Sequence, residues 1–269
     1  MIDQSPRRDA GARPPLALVA LGVLGALVFA VPLVGLLARV PWGDLGGLLA
    51  SDVVTEALWL SVVASVASTA IAVVVGVPLA FLLARVEFPG RSVARGIVTL
   101  PLVLPPVVGG AALLFALGRR GLVGEPLYEA TGLVLPFSLT GVVIATTFVS
   151  MPFLVITVEG AVRNLDRRFE GAAATLGAGR WTVLRRVTLP MIRPALAAGL
   201  VLTWARAFGE FGATVTFAGN LQGRTQTLPL AVFVTLEGDR DAAVAISLVM
   251  VVVSLVVLVA LRDRWWGTR

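Results

Sequence analysis

Five stretches of this 269-residue chain run for 20 to 29 residues without a single Asp, Glu, Lys or Arg: 14–38, 57–84, 96–118, 130–158 and 242–261. A bilayer core of about 30 Å takes about 20 apolar residues in an α-helix, so each stretch is long enough to cross it. A sixth, 194–218, is apolar or small except for Arg206 and Glu210. Charged residues make up only 14% of the chain, against about 25% in an ordinary soluble domain. An all-α integral membrane protein with six transmembrane helices is therefore expected.

The arginines orient these spans. All 22 basic residues are Arg, and Lys, His and Cys are absent. That composition removes the imidazole base, the thiolate nucleophile, the disulfide, the nitrogen or sulfur metal site and the P-loop lysine. With both termini cytoplasmic, sixteen arginines fall on the cytoplasmic side, while Arg39, Arg119, Arg120, Arg224 and Arg240 fall outside and Arg206 lies within a span. Cytoplasmic loops gather Arg and external ones do not, so the net charge of +6 reports membrane orientation and not a nucleic-acid partner. The first run exceeds a signal-peptide core of about 7 to 15 residues and is read as a retained helix. Trp42, Trp265 and Trp266 sit just beyond span ends, at headgroup depth. The expected organisation is a cytoplasmic tail (1–15), a first helix (16–38), a membrane domain (55–261) with spans near 57–84, 96–118, 133–158, 194–218 and 242–261, and a cytoplasmic tail (262–269).

One loop is longer than the rest. Residues 159–193, between the fourth and fifth spans, carry seven Arg. Asp166 can cap a helix through Phe169, Glu170, Ala172, Ala173 and Leu176; Gly177, Ala178 and Gly179 make a turn, and a second helix follows from Arg180 to about Leu189. Trp181, Leu184 and Thr188 fall at helical spacing, flanked by Arg185 and Arg186. Such a hairpin either lies on anionic headgroups or docks a soluble partner through an apolar stripe ringed by Arg.

Glu170-Gly171-Ala172-Ala173, then Gly177, then Val187-Thr188-Leu189-Pro190 resembles the EAA signature of ABC importer permeases of the type I fold. One departure is that the Glu opening the motif falls on Gly171, with Glu170 one residue upstream. The stretches 100–110, 206–214 and 223–230 are similar to the molybdate/tungstate permease family and, less closely, to its sulfate relatives. The resemblance implies a homodimeric permease in the cytoplasmic membrane, fed by an external oxyanion-binding protein and driven by a separate ATPase dimer that uses the ATP. It implies no catalytic residue, metal or cofactor on this chain. It also makes 163–190 the coupling hairpin, with Glu170, Gly171, Ala172, Ala173, Gly177, Arg180, Trp181, Leu189 and Pro190 as the ATPase-coupling residues. A sulfate or thiosulfate permease is the neighbouring alternative.

Within the membrane, Arg206 and Glu210 stand four apart and share a helical face. They form either a mutually neutralising pair, or a pathway in which Arg206 passes the oxyanion and Glu210 limits how tightly it is held. Pro101, Pro105 and Pro106 interrupt the third span, as a packing kink or as a gate at which Gly109 and Gly110 let backbones approach. Thr214, Thr216 and Asn220 offer hydrogen-bonding groups near the external mouth. Arg119, Arg120, Arg224 and the run Asp239-Arg240-Asp241 are solvated loop charge or a rim for a binding protein. An integral-membrane enzyme would need paired carboxylates in reach of each other, and the spans hold only Glu210. A stand-alone channel would have no use for the hairpin.

Overall fold

The computed structural model describes residues 15–266, with side chains as far as residue 259. Nearly all of the expected N-terminal tail and the end of the C-terminal tail lie outside the described residues. Among the described residues every element is helical. We label α1 Leu16–Leu37, α2 Asp52–Arg85, α3 Arg91–Leu102, α4 Pro106–Leu117, α5 Gly124–Thr131, α6 Leu139–Asn164, α7 Arg167–Thr175, α8 Arg180–Phe208, α9 Gly212–Phe217, α10 Leu228–Gly238 and α11 Arg240–Trp266. Leu45–Leu49 adds a short turn of helix between α1 and α2. Five helices (α1, α2, α6, α8 and α11) are long and apolar enough to cross a membrane, and α3 with α4 make a sixth span if the pair, bent by 118°, is counted as one.

α6 is the centre of the bundle. It carries twelve buried residues and packs against α2 and α8. Leu154, Val155, Val158 and Val162 of α6 meet Ala72, Ala80 and Leu83 of α2 and Ile192 of α8 in the main core. α1 lies at the other extreme, with no buried residue and contacts to α11. Hydroxyls are also buried among these helices: Ser65, Ser68 and Thr146 donate to carbonyls three or four residues back, which satisfies them inside their own helix. Ser61 Oγ accepts from the backbone N–H of Leu228 at 2.7 Å, pinning the start of α10 to α2.

Several helix limits differ from the sequence expectation. α6 starts at Leu139 and not 133, because Pro136 disfavours helix before it and Ser138 Oγ accepts from the Gly141 N–H at 3.1 Å as the N-cap. The third span is not a kinked rod but two helices. The second helix of the hairpin does not stop near Leu189: α8 continues without interruption to Phe208, and the chain breaks there, ten residues before the expected end at 218. Pro190 would break an α-helix there, and a π-turn relieves it. Residues 184–188 form one wide turn, so the carbonyl of Arg186, against which the Pro190 ring would clash in an α-helix, is displaced. α2 uses the same device, with a π-turn at 72–76 two residues ahead of Pro78.

Candidate functional site

The hairpin is built from local capping. Asp166 Oδ1 accepts from the Arg168 N–H at 2.9 Å and starts α7. Gly177 adopts φ +83°, its N–H donates to Ala174 O at 3.0 Å, and the Ala178 N–H donates to Ala173 O at 3.0 Å. This left-handed stop closes the orphan carbonyls of α7. Phe169, Leu176 and Trp181 are exposed at 55%, 89% and 67%, and the Arg185 guanidinium lies 6.0 Å from the Trp181 ring. Gly171, Ala172, Gly177, Arg180 and Pro190 are exposed beside them, whereas Ala173 and Leu189 are half-buried. The expected stripe of Trp181, Leu184 and Thr188 is divided, since Thr188 is buried and faces the bundle.

Glu170 turns away from this exposed face. Its Oε1 accepts from Arg85 Nη2 at 3.1 Å and from the Thr188 hydroxyl at 2.7 Å. Arg85 is the last residue of α2, so one carboxylate joins α7, α8 and α2. Next to it, Arg91 Nε donates to Leu83 O at 2.8 Å and Arg91 Nη2 to Ala84 O at 3.2 Å. Arg95 Nη2 also donates to Leu83 O, at 3.3 Å. The first turn of α3 thereby satisfies the free carbonyls at the end of α2. Arg95 pairs in addition with Glu159 of α6, through Nε at 2.8 Å and through Nη2, and Arg163 stands 3.9 Å from the same carboxylate. Sequence reasoning counted Arg85, Arg91 and Arg95 only as orienting charge. The available signal was a cluster of Arg straddling a helix end, and it names no partner.

The second constellation lies where α4 meets α9. Pro105 is extended (φ −53°, ψ 131°) and α4 begins at Pro106. A Cβ on Gly110 would stand 2.7 Å from both Ala213 O and Thr216 Cβ, and one on Gly212 would stand 2.8 Å from Pro106 Cβ. Matching positions, 106 with 212 and 110 with 213 and 216, make α4 and α9 run side by side in the same direction, in a contact that only glycine permits. Gly109 packs on the Phe148 ring of α6. Glu210 sits in the break between α8 and α9 and is 1% exposed. Its Oε1 accepts from the Ala213 N–H at 2.8 Å, capping α9. Its Oε2 lies 2.5 Å from Arg206 Nη1 in an ion contact. The Arg206 side chain keeps 29% exposure. Thr214 is fully buried and its hydroxyl has no partner among the described residues, and Asn220 Oδ1 is likewise unpartnered. Gly212 and the buried segment Thr225-Gln226-Thr227 lie in the stretches 206–214 and 223–230 that carry the resemblance, but their residue types alone marked none of them as a site residue. Arg119 stacks over the Tyr128 ring at 4.4 Å and donates to its hydroxyl at 2.9 Å.

Residues 76–265 match the family model described as binding-protein-dependent transport system inner membrane component. The molybdenum transport system permease protein ModB of Mycobacterium tuberculosis (strain ATCC 25618 / H37Rv) is 49% identical over 244 residues, covering 90% of this chain and 91% of that protein. The sulfate transport system permease protein CysW of Synechococcus elongatus (strain ATCC 33912 / PCC 7942 / FACHB-805) is 37% identical over 222 residues, covering 81% and 77%. Among solved structures, a chain of a bacterial alginate ABC transporter in complex with an alginate pentasaccharide-bound periplasmic protein aligns with a TM-score of 0.74 at 20% identity, covering 91% of each chain.

Proposed function

The chain belongs to the inner membrane components of binding-protein-dependent transport systems, and we propose that it is the permease subunit of an ATP-driven importer of a tetrahedral oxyanion, molybdate first and tungstate next. The observation that carries the substrate class is the 49% identity to a molybdenum permease over nine-tenths of both chains. The 37% identity to a sulfate permease favours sulfate or thiosulfate as the second reading.

In this reading the chain spans the membrane six times, α3 and α4 together forming the third span, with both termini in the cytoplasm. Two copies enclose the pathway, because an oxyanion needs a protein-lined route through hydrocarbon. An external binding protein delivers the anion, and an ATPase dimer receives the exposed Phe169, Leu176 and Trp181 together with Arg180 and Arg185. The chain has no Lys and therefore no P-loop lysine, so ATP is hydrolysed on the partner. Arg206 is held by Glu210, which leaves it a partly neutralised cation at the α8–α9 break. Binding there is weak enough for release, as conduction requires.

The test is reconstitution of the permease with its ATPase and binding protein, comparing ATPase stimulation by the binding protein loaded with molybdate, tungstate or sulfate. Stimulation by molybdate or tungstate above sulfate is expected. Stimulation by sulfate alone would move the chain to the second reading, and failure to assemble with any ATPase would overturn the permease role.

A further inference from the structure

The residue in the hairpin that looks most like a partner contact is spent inside the subunit. Glu170 is the carboxylate nearest the place where the family motif has its Glu, yet both its hydrogen bonds go to Arg85 and Thr188. Gly171, in the motif position itself, is exposed and has open space around an added Cβ. We propose that Glu170 is a positioning residue that transmits hairpin displacement into the bundle, and that partner contact falls to the other exposed residues of the hairpin.

The route is continuous. Glu170 of α7 holds Thr188 in the π-turn of α8 and Arg85 at the end of α2. The carbonyls of Leu83 and Ala84, adjacent to Arg85, are capped by Arg91 and Arg95 of α3. Arg95 is in turn pinned to Glu159, which is buried in α6. α3 leads directly into the 118° bend and to α4. A shift of the hairpin therefore pulls the inner end of α2, and the arginine caps oblige α3 to follow. The partly buried ion pairs are screened less than surface ones and have defined geometry, which suits them to hold register between helices. The exposed alternative, a Glu170 that reaches outward to a partner, would leave Arg85 and Thr188 without their acceptor.

This inference rests on the permease reading, and its test separates the two. The assembled complex of permease, ATPase subunit and binding protein is measured in proteoliposomes for anions moved per ATP, for stimulation by loaded binding protein, and for affinity of the ATPase subunit. Coupling energies between sites typically correspond to factors of about 5 to 150. Glu170→Gln is expected to lower stimulation and anions per ATP by about tenfold, while the ATPase subunit binds as to wild type. The charge swap Arg85→Glu with Glu170→Arg is expected to restore at least part of the coupling, and Thr188→Val to lower it by a smaller factor. Unchanged coupling in Glu170→Gln would overturn the proposal, as would weakened ATPase binding that the swap does not rescue. Where Glu170→Gln does not assemble, Arg85→Lys keeps the charge and loses the guanidinium's reach: reduced coupling supports the strut and wild-type coupling overturns it. If the unmodified complex neither assembles nor responds to loaded binding protein, it is the permease reading that fails.

Discussion

The α3–α4 pair and α8 both carry proline inside an apolar run, and they respond in opposite ways. In α8, Leu189 stays helical (φ −61°, ψ −44°) directly before Pro190, and the π-turn at 184–188 absorbs the ring. Pro194 follows within the same unbroken helix. In α3–α4, Pro105 takes the extended conformation (φ −53°, ψ 131°) that a following proline favours, and the chain turns through 118°. A single proline has an escape through the preceding turn. The doublet has the tight 3-10 turn Leu100–Leu102 ahead of it in place of a π-turn, and its first member is extended. The consequence is a division of labour: α8 is a rod of 29 residues, about 43 Å at 1.5 Å per residue, from the hairpin to Arg206. The α3–α4 pair is a joint, with α3 tied to α2 and α4 seated on α9.

Removing the doublet is the most severe way to break this contrast. In Pro105→Ala with Pro106→Ala, the residues between α3 and α4 regain helical freedom. Spin labels at Val93 and Phe115, both exposed, are expected to move apart toward about 33 Å, the length of a straight helix over 22 residues. Transport is expected to fall by about a hundredfold, the scale that follows from misplacing groups by an ångström or more. An unchanged label distance would show that the α4–α9 contact, and not the doublet, holds the bend.

The far end of the rod gives the next largest effect. Arg206→Met leaves the Glu210 carboxylate buried without its counter-charge, a loss of about 3–5 kcal/mol in unfolding free energy. Arg206→Met with Glu210→Gln keeps the acceptor for the Ala213 N–H and removes the charge, so most of the stability should return in the same denaturation measurement. Transport by that double variant then sharpens the role of Arg206: recovery with stability makes the pair structural, and continued loss places Arg206 on the pathway. Gly212→Val is milder. Its side chain meets Pro106 at the α4–α9 contact, and overpacking of this kind costs about 1–3 kcal/mol, read as a lowered unfolding temperature.

The contrast also explains what the sequence discloses. Uncharged runs mark the long apolar helices, and Asp166, Gly177 and the small residues between them mark the hairpin, because capping and hydrophobic burial are local or nearly so. The continuity of α8 was hidden because Pro190 signals a helix end, while the π-turn that cancels it has no composition of its own. Glu170 carried no sign of its partners: Arg85 is 85 residues away in sequence, and pairing at that range follows from tertiary packing. The same holds for Arg95 and Glu159, 64 residues apart. Arg206 and Glu210 were legible as a pair because four residues is one helical turn. That Glu210 also caps α9 was not, since the break at Gly209 lies inside what composition presents as a single span.

The mildest test acts on the π-turn itself. In Pro190→Ala the ring that displaces the Arg186 carbonyl is gone, so the wide turn at 184–188 is free to close into α-helix. Stability should change by less than about 1 kcal/mol, because the better helix former gains a backbone hydrogen bond while the bundle loses only an adjusted turn. The geometry changes more than the energy does. Closing one π-turn rotates everything before it by about 100°, the angle per residue of a helix with 3.6 residues per turn, and would carry the Thr188 hydroxyl off Glu170. Anions moved per ATP are then expected to fall to the level of Thr188→Val, with the unfolding temperature near wild type. Wild-type coupling in Pro190→Ala would mean that the Glu170–Thr188 hydrogen bond holds the π-turn open by itself, and the proline would then be a consequence of that turn rather than its cause.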